Sequence, residues 1–276
     1  MRVFLFSLIL VSGVFLCAPA ASAATIYSNY STGDDTTGDG SSGTPYKTFH
    51  KAYTIASSGD TINLSGTFTW SNADETGDSV TTGYTIGKSL TIVGQGATST
   101  TIQSATTAGT ADRRVFTIST ANTVTVRDMT IRYGRVTGGS DYGGGIYNQG
   151  TTTVERLNVS NNYSGGYGGG IAHGDPTNGG SLTVRDSLVS FNTGVSQGGG
   201  LYAILTTTGP MHVVNSTVVH NTLQASSGTV GGGGVAYRGG NGTITNSTIA
   251  YNNLQNGGSA DGAGVWFVSG ASQTLQ

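Results

Sequence analysis

A short glycine-rich word recurs five times in the second half of the chain. Each copy has glycine, then glycine or alanine, then glycine, then an aliphatic residue and a variable fifth residue: Gly143–Tyr147, Gly168–Ala172, Gly198–Tyr202, Gly232–Ala236 and Gly262–Trp266. The copies begin 25 to 34 residues apart. A unit that returns at such a period is typical of solenoid proteins, in which each repeat packs only on its neighbours. The words therefore predict a stack of similar coils.

Strands, rather than helices, are predicted to build these coils. The segments between the words contain β-branched runs and Asn/Gly turns, without the apolar periodicity of a helix. Charged residues make up only 9% of the chain, far below the usual share of about 25%. Low charge suits stacked strands, because like charges on neighbouring strands repel each other.

The coils align when the residues Asp128, Arg156, Asp186, Asn215 and Asn246 are set as equivalent. Two positions earlier, every coil has a β-branched aliphatic residue: Val126, Val154, Val184, Val213 and Ile244. Three positions later the same holds: Ile131, Val159, Val189, Val218 and Ile249. Because side chains alternate along a strand, both columns are predicted to stack inside. A mostly aromatic column is predicted to continue this inward face: Tyr133, Asn161, Phe191, His220 and Tyr251.

Two further columns predict bonding between coils. Four asparagines at one turn position indicate a structural ladder of amide hydrogen bonds: Asn162, Asn192, Asn221 and Asn252. Charge sign alternates in the neighbouring outward positions, from Arg127 through Glu155 to Arg185 and from Asp128 through Arg156 to Asp186. We expect stacked ion pairs there. The alignment requires Arg127 and Glu155 to be neighbours.

Residues 1–23 are predicted to be a secretory signal peptide. Arg2 gives a positive start, Val3–Phe15 an apolar core and Ala21–Ala23 a small-residue cleavage site. The apolar run is too short for a membrane span. We therefore expect a secreted, extracellular or cell-surface protein without direct membrane insertion. With 12 basic and 14 acidic residues, the chain lacks the basic excess that would indicate nucleic acid as a partner.

Residues 24–60 are predicted to form a loop and a capping helix, ahead of a β-helix over residues 61–276. Thr44 is expected at the N-cap, Pro45 at the first helical position and Gly59 just past the end. Such a helix would cover the open end of the first coil with one apolar face, formed by Phe49, Tyr53 and Ala56.

The segments Val115–Ile118, Val124–Ile131 and Gly143–Asn148 resemble the repeats of pectate-lyase-like proteins. The glycine-aliphatic word is also similar to polymorphic outer membrane protein repeats. The resemblance implies an all-β, right-handed parallel β-helix. At Gln276 the chain stops without a recognisable cap. We expect either truncation at the C-terminus or end-to-end association through the uncapped last coil.

The resemblance raises the question of enzymatic activity. Pectate-lyase-like enzymes use carboxylates to hold calcium and an arginine to abstract a proton, and their hydrolase relatives use paired aspartates. No motif of either kind is present. The remaining catalytic candidates are the charged residues Glu155, Asp186 and Arg185 and a His-x-Asp pair, His173 and Asp175. The interpretation preferred for the charged columns is structural ion pairing.

One loop is a weak candidate for a metal site, and several tyrosines are candidates for glycan contact. Oxygen-rich glycine loops can bind calcium, and one such loop contains Asp34, Asp35 and Asp39. A solvated turn is the alternative, and no other cofactor is expected. Four tyrosines near the glycine words could stack on sugar rings or simply cover the solenoid: Tyr142, Tyr147, Tyr163 and Tyr167.

Two functions remain open at this point. The preferred one is a non-catalytic, adhesin-like surface scaffold that binds polysaccharides or cell-surface glycans. The alternative is an extracellular polysaccharide lyase or glycoside hydrolase on the same fold, because the site and not the scaffold decides activity. Ice binding is disfavoured, since Arg and Glu interrupt the threonine columns.

Overall fold

The computed structural model describes residues 22–174, 180–204, 209–225, 230–239, 241–256, 260–268 and 272–275. Within these ranges the chain forms one short helix and 29 strands, and successive strands pair in parallel from coil to coil. The chain is therefore the predicted all-β parallel β-helix. Most of the predicted signal peptide, residues 1–21, lies outside the described residues.

Three long faces surround the core. The first face contains β1 Thr25–Asn29, the first half of β2 Thr61–Thr69, β4 Leu90–Val93, β7 Thr123–Arg127, β11 Thr151–Glu155, β15 Leu182–Arg185, β19 Met211–Val214, β24 Asn241–Thr245 and β29 Ser272–Leu275. The second face continues from the second half of β2 through β5 Thr100–Gln103, β8 Thr130–Arg132, β12 Asn158–Ser160, β16 Leu188–Ser190, β20 Thr217–Val219 and β25 Thr248–Ala250.

The third face follows the glycine words. Its strands are β3 Tyr84–Ile86, β6 Phe116–Ile118, β10 Ile146–Asn148, β14 Ile171–His173, β18 Leu201–Ile204, β23 Val235–Arg238 and β28 Val265–Val268. A narrow side sheet contains β9 Arg135–Val136, β13 Tyr163–Ser164, β17 Thr193–Gly194, β21 Thr222–Ala225 and β26 Asn253–Asn256. A two-stranded sheet pairs β22 Val230–Gly231 with β27 Ala260–Asp261.

The two aliphatic columns lie inside, in the predicted register. Val154 pairs with Val126 and Val184, and Val159 pairs with the equivalent residues on its own neighbours. Both valines are fully buried. Burying a side chain of this size contributes roughly 1.5–3 kcal/mol relative to leaving it exposed. The columns therefore form the continuous core that holds the coils in register.

The mostly aromatic column faces outward, so its predicted inward direction is wrong. Its members have positive φ angles, and two of its rings are strongly exposed, Phe191 at 57% and Tyr251 at 80%. A left-handed residue ends the alternation of the strand and turns the chain through a corner. The anchor residues Asp128 to Asn246 form a second corner of the same kind, with φ between 48° and 61°.

The capping helix α1 is shorter than predicted and runs from Phe49 to Ile55. Its N-cap is Thr48, whose side chain accepts a hydrogen bond from the Lys51 backbone N–H at 3.0 Å. The prediction of Thr44 as N-cap is wrong, because its hydroxyl bonds Asp39 in the preceding loop instead. Fully buried Phe49 joins aromatic rings of the first coils, which closes that end: Trp70, Tyr84 and Phe116.

Among the described residues, no helix has the length and apolar character that crossing a bilayer requires.

Each of the three glycine positions in the repeated word requires glycine for a different structural reason. In the second word, Gly168 has φ of 61°, which favours glycine. A Cβ on Gly169 would lie 2.3 Å from the Thr193 carbonyl group of the next coil, and a Cβ on Gly170 would lie 3.0 Å from the Asn192 amide. The first glycine of the word therefore forms a turn, and the next two bring the backbone into close contact with the next coil.

The asparagines of the predicted ladder do bond in succession. Asn162 donates from its backbone N–H and from Nδ2 to the Asn192 side-chain oxygen, both at 3.0 Å. Asn192 makes the same pair of bonds to Asn221, and Asn221 to Asn252. A parallel serine ladder, absent from the sequence-based predictions, runs through Ser187, Ser216 and Ser247 at the other corner.

Candidate functional site

A group of tyrosines forms a second apolar cluster outside the coil. The outward column of the third face alternates large and small residues: Tyr147, Ala172, Tyr202, Ala236 and Trp266. Tyr142 and Tyr167, from the loops before two glycine words, lie over this column and pair with each other. We call Tyr142, Tyr147, Tyr167 and Tyr202 the tyrosine cluster.

The rings of the tyrosine cluster contact one another: Tyr142 stacks on Tyr147 and on Tyr167, and Tyr202 packs against them at a tilt. The ring centroid of Tyr142 lies 5.1 Å from that of Tyr147 and 5.0 Å from that of Tyr167, and Tyr167 lies 4.8 Å from Tyr202. Tyr202 is fully buried, whereas the other three rings are partly exposed. The alanines in the column leave the space that the rings fill. The cluster thus covers the third face and still presents aromatic surface to solvent.

Three of the four predicted glycan-contact tyrosines meet in this cluster, and Tyr163 does not. Tyr163 lies on β13 in the side sheet, where the Arg135 guanidinium sits 5.3 Å from its ring centroid. The sequence-based prediction missed Tyr202 and Trp266. The sequence did contain a signal for both residues, since each occupies the last position of a glycine word, as Tyr147 does.

A buried cation lies at one end of the tyrosine cluster. The guanidinium carbon of Arg114 lies 5.3 Å from the Tyr147 ring centroid, and its Nε donates to the Gly143 carbonyl at 3.1 Å. Burial lowers the pKa of Arg114, and the nearby Asp141 carboxylate opposes that shift. Burial raises the pKa of Tyr202. The cluster therefore offers hydroxyls and ring surface, with the Arg114 guanidinium at the Tyr147 end and Arg238 near Tyr202.

The charged catalytic candidates are engaged in contacts between coils. Glu155 pairs in register with Arg127 and Arg185, which confirms the predicted alignment. Its side chain is only 11% exposed and accepts from Arg185 at 2.7 Å, with Arg156 also in contact. Asp186 accepts a hydrogen bond from Asn215 on the next coil. Both carboxylates therefore act as structural partners of polar side chains on neighbouring coils, arginine for Glu155 and asparagine for Asp186.

The second charged column is paired in the same way. The Arg156 Nε atom lies 2.6 Å from an Asp128 carboxylate oxygen, and Arg127 lies 2.8 Å from the other oxygen. The hydrogen bonds from Arg156 lower the pKa of Asp128. Because these side chains are partly exposed, each pair contributes only about 0–1 kcal/mol. The ion pairs therefore help to define the register between coils but add little to the free energy of unfolding.

His173 lies inside the coil rather than in a surface loop, so the predicted placement is wrong. It ends β14 and is fully buried, because it belongs to an inward column of the third face. Asn148 Nδ2 lies 3.0 Å from its Nδ1, and its Nε2 lies 3.3 Å from the Gly209 carbonyl. Burial lowers the pKa of His173 and keeps the ring neutral. Its predicted partner Asp175 lies outside the described residues.

The aspartates proposed for calcium each cap a local turn or the helix. Asp34 accepts from the backbone N–H groups of two following threonines, and Asp35 accepts from Thr48, the helix N-cap. Hydrogen bonds from Thr44 and then Ser41 lower the pKa of Asp39 to about 2. In the described ranges, no three His, Cys, Asp or Glu side chains form a group that could hold a metal ion. Calcium binding stays a prediction.

Glu75, which the sequence did not single out, is a buried carboxylate at the start of the capping helix. It accepts hydrogen bonds from the backbone N–H groups of Phe49 at 2.8 Å and His50 at 3.2 Å. Burial raises the pKa of Glu75 to about 7, and the neighbouring Asp74 and Asp35 charges act in the same direction. The neutral form is thus favoured in the folded protein.

This carboxylate predicts a loss of stability as pH rises through neutrality. Because the folded-state pKa of about 7 lies above the ordinary value of 4.5, the stabilisation is fully present below about pH 4.5 and is lost as pH rises through about 7, where half of the folded protein has released the proton. The difference corresponds to about 3 kcal/mol at most. We expect the melting temperature to fall between pH 5 and pH 8, and a Glu75→Gln variant to show a flatter profile. Identical profiles for the two proteins would contradict the assignment.

Comparison with known proteins gives one match at the level of structure. No protein-family model matches the chain, and no curated protein matches it. Among solved structures, the chain is similar to the crystal structure of pectate lyase Pel9A, with 13% sequence identity and a TM-score of 0.46 over 94% of this chain and 79% of that one. The assignment of the chain as a parallel β-helix rests on its own strand pairing.

Proposed function

We propose that this chain is a β-helix scaffold that binds glycans without cleaving them. The tyrosine cluster is the observation that carries the proposal. Three partly exposed tyrosines lie together on one outer face, each with a hydroxyl at its tip: Tyr142, Tyr147 and Tyr167. Such side chains combine an apolar surface with a hydrogen-bonding group, which is what contact with a sugar ring requires.

The candidate acids and bases are already engaged in structural contacts, which supports a binding role over a catalytic one. Glu155 and Asp186 hold neighbouring coils together, and His173 is buried with both ring nitrogens engaged. A general acid or base must reach the proton that it transfers. A glycan lying on the outer surface would not reach His173. These groups serve the scaffold in our proposal.

The setting of this scaffold is part of the proposal. The predicted signal peptide supports secretion to the extracellular space or the cell surface, where polysaccharides and cell-surface glycans are available as partners. End-to-end association through the last coil remains a further prediction, to be tested by the mass of the protein in solution. Nucleic acid is not among the proposed partners, since the chain has no basic excess.

The test is incubation of the purified protein with neutral and acidic polysaccharides, with and without calcium. We expect retention on at least one polysaccharide and no new unsaturated or reducing chain ends. A Tyr142→Ala/Tyr167→Ala variant should lose about tenfold in affinity, because about 0.5–1.5 kcal/mol is typical of one aromatic contact. Tyr163→Ala is the matched control, since this ring lies in the side sheet, and it should bind as the unsubstituted protein does.

Two outcomes would overturn the proposal. New chain ends would favour the alternative of a polysaccharide lyase or glycoside hydrolase, with unsaturated ends pointing to a lyase. Absence of retention on every polysaccharide would remove the glycan-binding function altogether. Equal loss in the cluster variant and in the Tyr163→Ala control would mean that the tyrosine cluster has no special part in binding.

A further inference from the structure

One outer strip of the coil carries three of the five large apolar side chains that the described residues expose. The five are Leu188, Phe191 and Tyr251 on this strip and Ile55 and Val80 elsewhere. Phe191 and Tyr251 occupy the corner after the second face, and His220 occupies the same corner on the coil between them. We call Leu188, Phe191, His220 and Tyr251 the aromatic strip. The three corner rings lie on successive coils, so they form one continuous patch rather than scattered single residues.

The three rings of the aromatic strip form a regular stack along the coil axis. The centroids of Phe191 and His220 are 5.1 Å apart, with planes 9° from parallel, and those of His220 and Tyr251 are 5.4 Å apart, with planes 11° from parallel. Each ring is held outward by its left-handed backbone. The stack therefore presents a straight row of ring edges to solvent, one for each coil.

The surface beside this row is uncharged. The corner residues and the three residues before them form the segments 188–191, 217–220 and 248–251, and these contain no Asp, Glu, Lys or Arg. The outward positions directly before the row hold Ser190, Val219 and Ala250, and those at the start of each strand hold Leu188, Thr217 and Thr248. The parallel pairing already uses the backbone groups of these strands. Recognition of a partner is therefore left to side chains, which are apolar, hydroxyl or, at His220, imidazole.

The size of the strip limits what can bind. Three coils about 4.8 Å apart and four residues of about 3.3 Å each cover a flat area of about 190 Å². A stable protein partner buries about 800 Å² on each side. The strip is thus too small to be a protein interface by itself, but it matches a short stretch of an extended chain that lies parallel to the coil axis.

We propose that the aromatic strip is a second glycan-contact surface and that it takes an uncharged polysaccharide lying along the axis. The choice of a glycan rests on the proposed function, whereas the location and the neutral class rest on the strip itself. The positive ring edges suit the hydroxyl oxygens of a sugar, and the threonines can exchange hydrogen bonds with its hydroxyls. An acidic chain would lose hydration of its carboxylates with no lysine or arginine on the strip to compensate.

The test is a Phe191→Asn/Tyr251→Asn variant of the full chain. Asparagine fits this corner, because Asn161 occupies the equivalent position two coils before His220 with φ of 56°, and asparagine tolerates left-handed backbone. We expect an unchanged melting temperature and at least a tenfold loss of retention on neutral polysaccharides, with xylan, mannan and a soluble β-glucan as probes. Retention on polygalacturonate should not change. Tyr251→Asn alone, which removes the more exposed of these two rings, should give a partial loss.

An Ile55→Asn/Val80→Asn variant is the matched control, since it removes two exposed apolar side chains away from the strip. It should bind as the unsubstituted protein does. If the strip variant were retained on neutral polysaccharides as strongly as the unsubstituted protein, the inference would be overturned and the proposed glycan-binding function would still stand. Equal losses on neutral and acidic polysaccharides would overturn the neutral class. A dimer of the unsubstituted protein that the strip variant makes monomeric would reveal a protein interface instead, and retention of neither protein on any polysaccharide would overturn both proposals.

Discussion

Replacing Gly169 with alanine is expected to lower the melting temperature by roughly 10 °C. The added Cβ would lie 2.3 Å from both the carbonyl carbon and the oxygen of Thr193 and 2.5 Å from the Gly199 oxygen. All of these are backbone atoms of the next coil, so they cannot rotate away as a side chain would. Forcing the coils apart should cost about 3 kcal/mol. Scanning calorimetry of the two proteins measures the difference.

Gly139→Ala is the matched control for this substitution. A Cβ at Gly139 would meet no atom within 4 Å, and its backbone lies outside the left-handed region. We expect a change within about 0.5 kcal/mol, as for an ordinary surface substitution. Similar losses of stability in Gly139→Ala and Gly169→Ala would mean that the close approach of the coils at the glycine word does not constrain the fold.

The fold and the register of the coils could be predicted from the sequence. Side chains alternate along each strand, so a buried column of one residue type returns at the same place in every coil. Val154 therefore pairs with Val126 and Val184. The charge alternation gave an independent check, and Glu155 does lie between Arg127 and Arg185. Both kinds of pattern report on straight strands, where side-chain direction is fixed.

The corners could not be predicted in this way. Phe191 and Tyr251 have the composition of a core column and stand at the right period, but their left-handed backbone turns them outward. Bulky residues seldom adopt this backbone, so nothing in their identity indicates it. Asn161 in the same column was the one hint, since asparagine tolerates left-handed φ. The aromatic strip became visible only with the backbone angles.

The candidate site was predicted in part. Tyr142 and Tyr167 come together because they precede glycine words at the same offset and therefore stack from coil to coil. Tyr163 stands close to Tyr167 in sequence, but it lies on a strand of the side sheet, whereas Tyr167 lies in a loop. His173 follows the second glycine word directly, yet the alternation of β14 points it into the core. Proximity in sequence misleads when a corner or a strand separates two residues.

Removing the side chain of Asn192 is expected to destabilise the protein by about 4 kcal/mol. This fully buried side chain accepts from the backbone N–H and Nδ2 of Asn162 and donates to the Val159 carbonyl and to Asn221, at 2.9 to 3.0 Å. In Asn192→Ala, the Asn162 N–H and the Val159 carbonyl lose these partners, and each buried unsatisfied group costs about 1–3 kcal/mol. Chemical denaturation measures the total.

Hydrogen exchange separates this explanation from a general loss of packing. In Asn192→Ala, the Asn162 amide should exchange faster than the change in global stability accounts for, because its acceptor is gone. Asn63→Ala is the matched control, since this asparagine is only partly buried and its side-chain oxygen accepts one exposed hydrogen bond from Gln95. It should cost less than about 1 kcal/mol. If Asn192→Ala were as stable as Asn63→Ala, the asparagine ladder would not hold the coils together, and the aliphatic columns alone would fix their register.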